Sequence, residues 1–436
     1  MEMVRPAATS LLFLMCLCLL CAAVARAVLL FRGALEARWR RNVMTGSRWS
    51  TLLRSDLASP VAAIAAPPDA SAASQRLVRR LLDLHAGNPE IVVVLDGPSE
   101  EELEVWKGAF HLEPTSCRPN PGLPTQPVRG YYRCSESVRL LVVDKQRGGR
   151  ADCLNAGINA ANAPVIATVC EDAEFVEESL PALLRSMQAN PEQTVAVCAV
   201  APGPVETGLA ARLYRLGFLR TWLGRCAGMA ASNMFLPAPG CFTLLSRDAV
   251  VQAGGFRAGP LEMLIRLHAR ARAMKRPYRI VFLPEPFCRP AMPDRYRALL
   301  AAIEREQREI GAALRLHIPL MMGFGSLGWL ALPGLLASRL LLPLLETAMR
   351  LVGLAALIAG WMPPGEIAML LAAPVVGEIL VSMTAVLLEQ VASGMNGQPR
   401  DVAALFFSTI AENVGYRQCR NLWMMRHLWR GFQGTD

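Results

Sequence analysis

Charge is scarce in this chain of 436 residues: Asp, Glu, Lys and Arg together make up 19%, against 53% hydrophobic residues. With mean hydropathy at +0.30, that scarcity excludes an ordinary soluble enzyme. No internal repeat recurs, which excludes a solenoid or array, and no long low-complexity segment is present. The polar part carries no basic stripe interleaved with aromatics, so no nucleic-acid partner is expected. Twelve cysteines are present, yet their spacing lacks a zinc or disulfide signature. Cys16, Cys18 and Cys21 fall in an apolar run, where thiols act as small hydrophobes. Those from Cys117 to Cys288 are scattered without a C-x-x-C pair. Free thiols of this kind fit a reducing cytosol.

What the chain has in abundance is apolar sequence flanked by arginine. The net charge of +9 is concentrated beside the apolar runs, at Arg32–Arg48 and Arg417–Arg430. Ser10 to Phe31, interrupted only by Arg26, is about long enough to cross a bilayer. Ala23-Val24-Ala25 offers a signal-cleavage alternative. Slight charge ahead of the run and Arg32, Arg38, Arg40 and Arg41 behind it favour an uncleaved anchor, with the following chain in the cytoplasm. After Pro319 the apolar character returns. Met321–Trp361 reads as an interfacial helix followed by one span, and about Ile367 to Leu388 as another. The turn between them carries Glu366 and no Lys or Arg, so it is expected in the periplasm. The tail, with Arg417, Arg420, Arg426 and Arg430 among Trp423 and Trp429, is expected to lie on the membrane surface. No ionisable cluster is expected to face across the spans, which argues against a solute pathway. The expected location is the inner (plasma) membrane, multi-pass, with the main domain cytoplasmic.

Between about Pro60 and Pro290 the pattern changes. Short apolar runs (Ile91–Leu95, Leu140–Val143, Val165–Val169) alternate with helix-like stretches (Ser74–His85, Ala151–Ala161, Ser179–Gln188). Fully apolar strands between helices predict a mostly parallel sheet covered on both faces. Ligands of such sheets sit at the carboxyl ends of the strands. Arg118–Gly130, rich in Pro and Gly, reads as an insertion loop.

Acidic residues fall where those strands end. Thr168-Val169-Cys170-Glu171-Asp172-Ala173-Glu174 places Asp172 and Glu174 two apart, so an extended chain points both the same way. Carboxylate oxygens suit a hard divalent cation, with phosphates completing the ligand set. A solvated strand end leading into a helix is the plain alternative. Val142 to Ile158 follows a strand and opens a helix. Its Gly148 and Gly149 let the backbone approach a ligand, Lys145 and Arg150 offer positive charge, and a helix N-terminus favours an anion. Asp96, in Leu95-Asp96-Gly97, ends another apolar strand.

The run Val-Val-Asp-Lys-x-x-Gly-Gly-Arg-Ala-Asp-x-Leu-Asn-Ala-Gly-Ile, from Val142 to Ile158, closely resembles the signature of membrane-bound family 2 glycosyltransferases, the relatives of cellulose, hyaluronan and poly-N-acetylglucosamine synthases. Gly240–Val250 with Gly254-Gly255-Phe256 is similar to the family's segment on the acceptor side. Arg276–Ile280, Pro284-Glu285-Pro286 and Glu412–Gln418 are similar to later family segments, in the same order. The resemblance implies an α/β GT-A domain plus transmembrane helices. The expected division is an anchor and basic linker over 1–50, a cytoplasmic GT-A domain over 51–300, and interfacial and transmembrane helices over 301–436.

It also implies a UDP-sugar donor, Mg²⁺ or Mn²⁺, and inverting transfer to a glycan or polysaccharide acceptor, with membrane lipid and partner synthase subunits around the chain. Asp96 would contact the uridine, Asp152 the nucleotide pocket, and Asp172 and Glu174 would hold the metal and diphosphate. Lys145, Gly149 and Arg150 would line the same site. The pattern is broken elsewhere. Where the family has an Asn-Glu pair near the base, Asp69 is the only polar residue of Ala66–Ala70. Where it has the Glu-Asp that carries the catalytic base, this chain has Gly259-Pro260, with Glu262 as the nearest carboxylate. Glu304–Arg308 stands where Gln-x-x-Arg-Trp is expected and reads as a solvated charged helix. A positioned base contributes roughly 10²–10⁴-fold, so two readings stand: an active transferase using Glu262, or a pseudoenzyme that serves a synthase.

Overall fold

A computed structural model describes residues 4–45, 60–84, 89–120, 122–169, 173–175, 179–200, 208–230, 232–236, 242–283, 288–290, 292–321, 323, 325–393 and 399–433. The chain forms two compact units, one of residues 40–203 and 235–291, the other of 1–39, 204–234 and 292–436.

The first unit is α/β. Its strands are β1 (Val61–Ala65), β2 (Glu90–Asp96), β3 (Leu112–Pro114), β4 (Val128–Cys134), β5 (Leu140–Lys145), β6 (Val165–Thr168), β7 (Ala173–Phe175), β8 (Thr194–Ala199), β9 (Phe242–Ser246), β10 (Arg279–Leu283) and β11 (Cys288–Pro290). Nine form one sheet in the order β10-β8-β9-β6-β1-β2-β5-β4-β3, while β7 and β11 pair separately. The apolar runs fill its centre. All five residues of β1 and the Ile91–Leu95 stretch of β2 are buried, as continuous hydrophobic strands require when both faces are covered. Pairing is parallel through β6-β1-β2-β5 and at β10-β8. It is antiparallel at β3-β4, β4-β5, β6-β9 and β8-β9. The expectation of a mostly parallel sheet therefore holds only for the central block. β4 and β5 are joined too closely for a crossover, and β9 enters the sheet in the opposite sense.

Helices α2 (Ala72–Leu82), α3 (Glu100–Phe110), α4 (Arg150–Ala160), α5 (Ser179–Gln188), α8 (Arg247–Gln252) and α9 (Pro260–Ala273) accompany the sheet. α3 begins with a reciprocal cap. The Ser99 hydroxyl accepts the Glu102 amide at 3.1 Å, and the Glu102 carboxylate accepts the Ser99 amide at 3.0 Å, satisfying two amides that a helix start leaves open. Trp106 and Phe110, one turn apart, then stack at 5.5 Å on the buried face of α3.

The second unit is helical: α1 (Val4–Thr45), α6 (Leu209–Arg220), α7 (Gly228–Ala230), α10 (Tyr296–His317), α11 (Leu332–Leu336), α12 (Leu342–Ile358), α13 (Pro364–Ser393), α14 (Pro399–Ala411) and α15 (Arg417–Gln433). Among the described residues, three helical runs are long and apolar enough to cross a membrane: Pro6–Arg40, Leu327–Ile358 and Pro364–Ala392. Leu327–Ile358 is thus one run and not an interfacial helix followed by a span. Wide π-helical turns at Leu327–Ala331 and Ala337–Leu341 precede Pro333 and Pro343. Loosening the backbone there accommodates prolines that have no N–H to give and crowd the preceding turn.

The charged residues of this unit correct two further expectations. An ionisable cluster does face across the apolar helices. Arg26 pairs with Glu378, Glu378 with Arg417, Arg417 with Glu346 and Glu346 with Arg350. Arg220 and Arg420 share Glu412, and Arg215 pairs with Glu389. In α15, Arg417 is buried among these carboxylates and Arg420 is paired, so part of the tail faces inward and not the membrane surface. Ionised groups among apolar helices persist only when paired and hydrogen-bonded.

Candidate functional site

The site begins with register. β2 and β5 run parallel with Asp96 beside Lys145, so two strand ends deliver a carboxylate and an ammonium to the same carboxyl edge. The chain then turns through Gln146–Gly149 into α4, whose first turn carries Asp152. Lys145 is fully buried. Its Nζ lies 2.9 Å from Asp96 Oδ1 and 2.6 Å from Asp152 Oδ2, and donates to the Gln146 carbonyl at 2.7 Å. A single ammonium thus joins two carboxylates with its three donors.

Asp96 also holds the loop. Its Oδ1 accepts the Gly148 amide at 2.8 Å and its Oδ2 accepts the Gly149 amide at 2.9 Å. The two glycines are required for different reasons. A Cβ on Gly148 would meet Asp152 Oδ2 at 2.6 Å, and Gly149 adopts φ +85°, a conformation that penalises a side chain. Sequence alone assigned these amides to a ligand; in this structure Asp96 takes them.

Electrostatics follow from this packing. Burial by itself would raise the Asp96 carboxyl, but hydrogen bonds from Lys145, Gly148 and Gly149 outweigh it and hold the carboxyl below its usual range. Desolvation pulls the Lys145 ammonium down, and its bonds to Asp152 and Asp96 more than reverse that, keeping it charged above its ordinary value. Burial pushes the neighbouring Cys153 thiol up to about 12, which makes it an inert filler.

Other candidate residues are placed as follows. Asp69 follows β1 at the start of α2, its carboxylate accepting the Ser71 amide at 3.1 Å and the Ser74 hydroxyl at 2.9 Å. Arg150 is exposed at the first position of α4. Asp172 lies outside the described residues; Glu174 lies in β7, with only its backbone described. Glu262 is fully buried in the first turn of α9 and pairs with Arg266 at 3.0 Å. Arg266 in turn donates to the carbonyls of Ala253 and Gly255. His268, also fully buried, has Nδ1 2.9 Å from the Tyr278 hydroxyl and Nε2 3.1 Å from the Phe235 carbonyl.

The insertion loop contributes more than the sequence indicated. The Gln126 amide donates to Asp152 Oδ1 at 3.0 Å. Arg129, in β4, donates to buried Asp144 at 2.9 and 2.6 Å and to the Pro98 carbonyl at 3.0 Å. Asn159 of α4 pins the loop by accepting the Gly122 and Leu123 amides and donating to the Leu123 carbonyl. By sequence Arg129 falls in the insertion loop Arg118–Gly130 without a role; the structure puts it in β4. Among the described residues no group of three His, Cys, Asp or Glu side chains forms a metal-ligating set. Asp96 and Asp152 are committed to Lys145 and to backbone amides.

Neither a protein-family model nor a curated protein sequence matches the chain. Solved structures do. A mannosyltransferase from Pyrobaculum calidifontis, in complex with GDP-Man and Mn²⁺, aligns over 92% of this chain and 99% of its own, with TM-score 0.51 and 16% identity. Glucosyl-3-phosphoglycerate synthase from Mycobacterium tuberculosis, in complex with Mn²⁺, UDP-glucose and phosphoglyceric acid, aligns over 62% of this chain and 83% of its own, with TM-score 0.35 and 16% identity. The likeness to the mannosyltransferase is one of fold: the α/β unit is GT-A-like, and it accompanies helices capable of spanning a membrane.

Proposed function

We propose that this chain is a membrane-bound glycosyltransferase-like protein whose α/β unit binds a UDP-sugar together with a divalent metal. The observation that carries this reading is the gathering of Asp96, Lys145, Asp152 and the Gly148–Gly149 turn at one carboxyl edge of the sheet, where such folds take nucleotides. The mannosyltransferase of similar fold was solved with a nucleotide-sugar and Mn²⁺, which supports the same ligand class here. Asp96 and Asp69 serve the base side, Asp152 and Lys145 set the nucleotide pocket, and Arg150 offers charge to the diphosphate. Asp172 and Glu174 are the carboxylates whose hard oxygens suit Mg²⁺ or Mn²⁺. That cation, when bound, neutralises charge on the diphosphate. Arginine placement supports a multi-pass inner-membrane protein with the α/β unit in the cytoplasm, and the family resemblance supports a glycan or polysaccharide acceptor and inversion.

Calorimetry on the purified full-length protein should detect UDP or UDP-glucose binding that depends on Mn²⁺ or Mg²⁺ and is lost in Asp172→Ala. No binding by the wild type removes this reading.

A second reading, a catalytically inactive partner subunit of an exopolysaccharide synthase, is favoured by Glu262. Glu262 is fully buried and paired with Arg266, which on this reading would make it a positioning group for the Gly254–Phe256 turn and not a base. The 304–308 segment, where Glu304 pairs with Arg308 at 2.6 Å, supplies no aromatic platform. UDP release from membranes separates the readings. Turnover abolished by Glu262→Gln, with UDP binding and melting temperature unchanged, would make Glu262 the base; no turnover in the wild type supports the partner subunit.

A further inference from the structure

Three polar side chains stand on one stripe of α4. Asp152, Asn155 and Asn159 follow at i, i+3 and i+7, the spacing of neighbours on a helix face. Asp152 accepts the Gln126 amide and Asn159 holds Gly122 and Leu123, so both grip the insertion loop. Asn155 does something else. It is buried, and it reaches a residue 101 positions away. Its Oδ1 accepts the Phe256 amide at 2.7 Å, and its Nδ2 donates to the Phe256 carbonyl at 2.9 Å. This doubled bond copies the exchange between paired strand residues.

The turn that Asn155 holds is anchored from three sides. Gly254 and Gly255 adopt φ +84° and +70° and close α8 by giving their amides to the Val251 and Val250 carbonyls. Arg266 of α9 takes the Ala253 and Gly255 carbonyls. Phe256 gives both its backbone groups to α4 instead. A Cβ on Gly255 would meet Asn155 Oδ1 at 2.5 Å and Leu123 at 2.9 Å, so turn, helix and insertion loop meet without room for a methyl group.

Asn155 lies one turn behind Asp152, about 4.5 Å further along the axis at 1.5 Å per residue. On the proposed function, on which this inference rests, α4 starts at the nucleotide and Gly254–Phe256 stands on the acceptor side. One side chain then fixes the spacing between the two halves of the site, where a misplacement of about 1 Å can cost roughly 10²-fold in rate. We propose that Asn155 is a positioning residue that ties the Gly254–Phe256 turn to α4, so that nucleotide binding at the start of α4 also steadies the turn. A ligand on the first turn makes opening of the helix costlier, and what is bonded to the helix then opens less often.

Hydrogen exchange of the full-length protein in detergent, read by mass spectrometry with and without UDP and Mn²⁺, tests this, with calorimetry measuring UDP binding on the same samples. In the wild type, UDP should slow exchange of the 254–256 amides several-fold more than that of α3. Asn155→Ala removes two hydrogen bonds of ordinary strength and should speed exchange at Phe256 about thirtyfold, while Arg266 keeps the turn in place. N155A should still bind UDP, but UDP should no longer slow the 254–256 amides. A merely structural Asn155 would speed exchange and leave the response to UDP intact. That intact response, equal slowing over α3, or no slowing in a wild type that binds UDP each overturns the role of Asn155 and leaves the donor reading standing. A wild type that binds no UDP overturns both. If N155A does not fold, Asn155→Asp, which accepts the Phe256 amide but has no proton for its carbonyl at neutral pH, should show a reduced response, and a full one overturns the proposal.

Discussion

In the α/β unit charged residues lie where apolar strands stop; in the helical unit they lie midway along apolar helices. Asp96 and Lys145 end β2 and β5, leaving a core of Val, Ile, Leu and aromatic side chains between the strands and helices. Glu346, Glu378 and Arg26 instead interrupt runs that could each cross a membrane. The difference follows from what drives packing. An α/β core in water gains from burying apolar surface, so polar groups are pushed to its rim, where they become available for chemistry. Helices that already face lipid gain little by burying more apolar surface, and paired polar groups then specify which helix meets which.

The largest expected effect breaks that contrast on the helical side. Glu378→Leu removes the carboxylate shared by Arg26 and Arg417 and should destabilise the protein by about 3–5 kcal/mol, the usual cost of stranding a buried charge. The double variant Arg26→Leu/Glu378→Leu should recover much of it, because Arg417 keeps Glu346. Unfolding by SDS in mixed micelles measures both, and a cost below about 1 kcal/mol for the single change would mean that the pairs are passengers.

The α/β side is sharpened by pH. Burial depresses His268 to about 4 from an ordinary 6.5. The unfolded chain therefore takes up a proton near pH 6.5 that the folded chain refuses until near pH 4. Stability should fall across that window as pH is lowered, by up to about 3 kcal/mol. Denaturant titrations between pH 7 and 4 should show this fall in the wild type and a much shallower one in His268→Gln. Smallest is Ser99→Ala, which removes one half of the α3 cap and should cost about 1 kcal/mol, read as a shift in denaturant midpoint.

Much of the α/β unit was legible because its signals are local. Ile91–Leu95 and Leu140–Val143 are continuous apolar runs of strand length, and the residues ending them, Asp96 and Lys145, announce the carboxyl edge. That Lys145 would be consumed by Asp96 and Asp152 was not legible, since register and burial are decided by the sheet. Nor was the grip of Asp96 on the Gly148 and Gly149 amides, which lie 52 and 53 positions away. The helical unit was harder. Arg26 and Glu378 are 352 positions apart, and each alone looks like a defect in a span. That Leu327–Ile358 is one helical run was not legible, because the π-helical turns before Pro333 and Pro343 leave no compositional trace.

The division of the chain has a consequence for biosynthesis. Residues 1–39, 204–234 and 292–436 belong to one unit and those between them to the other, so the polypeptide passes from unit to unit four times. β9 fits between β8 and β6 yet emerges about 75 residues after β6. At roughly 5–20 residues per second, the ribosome leaves the half-built sheet open at that edge for about four to fifteen seconds. Neither unit can be released by a single cut, and the α/β unit is complete at residue 291 while the helical unit waits for the last helices to leave the ribosome.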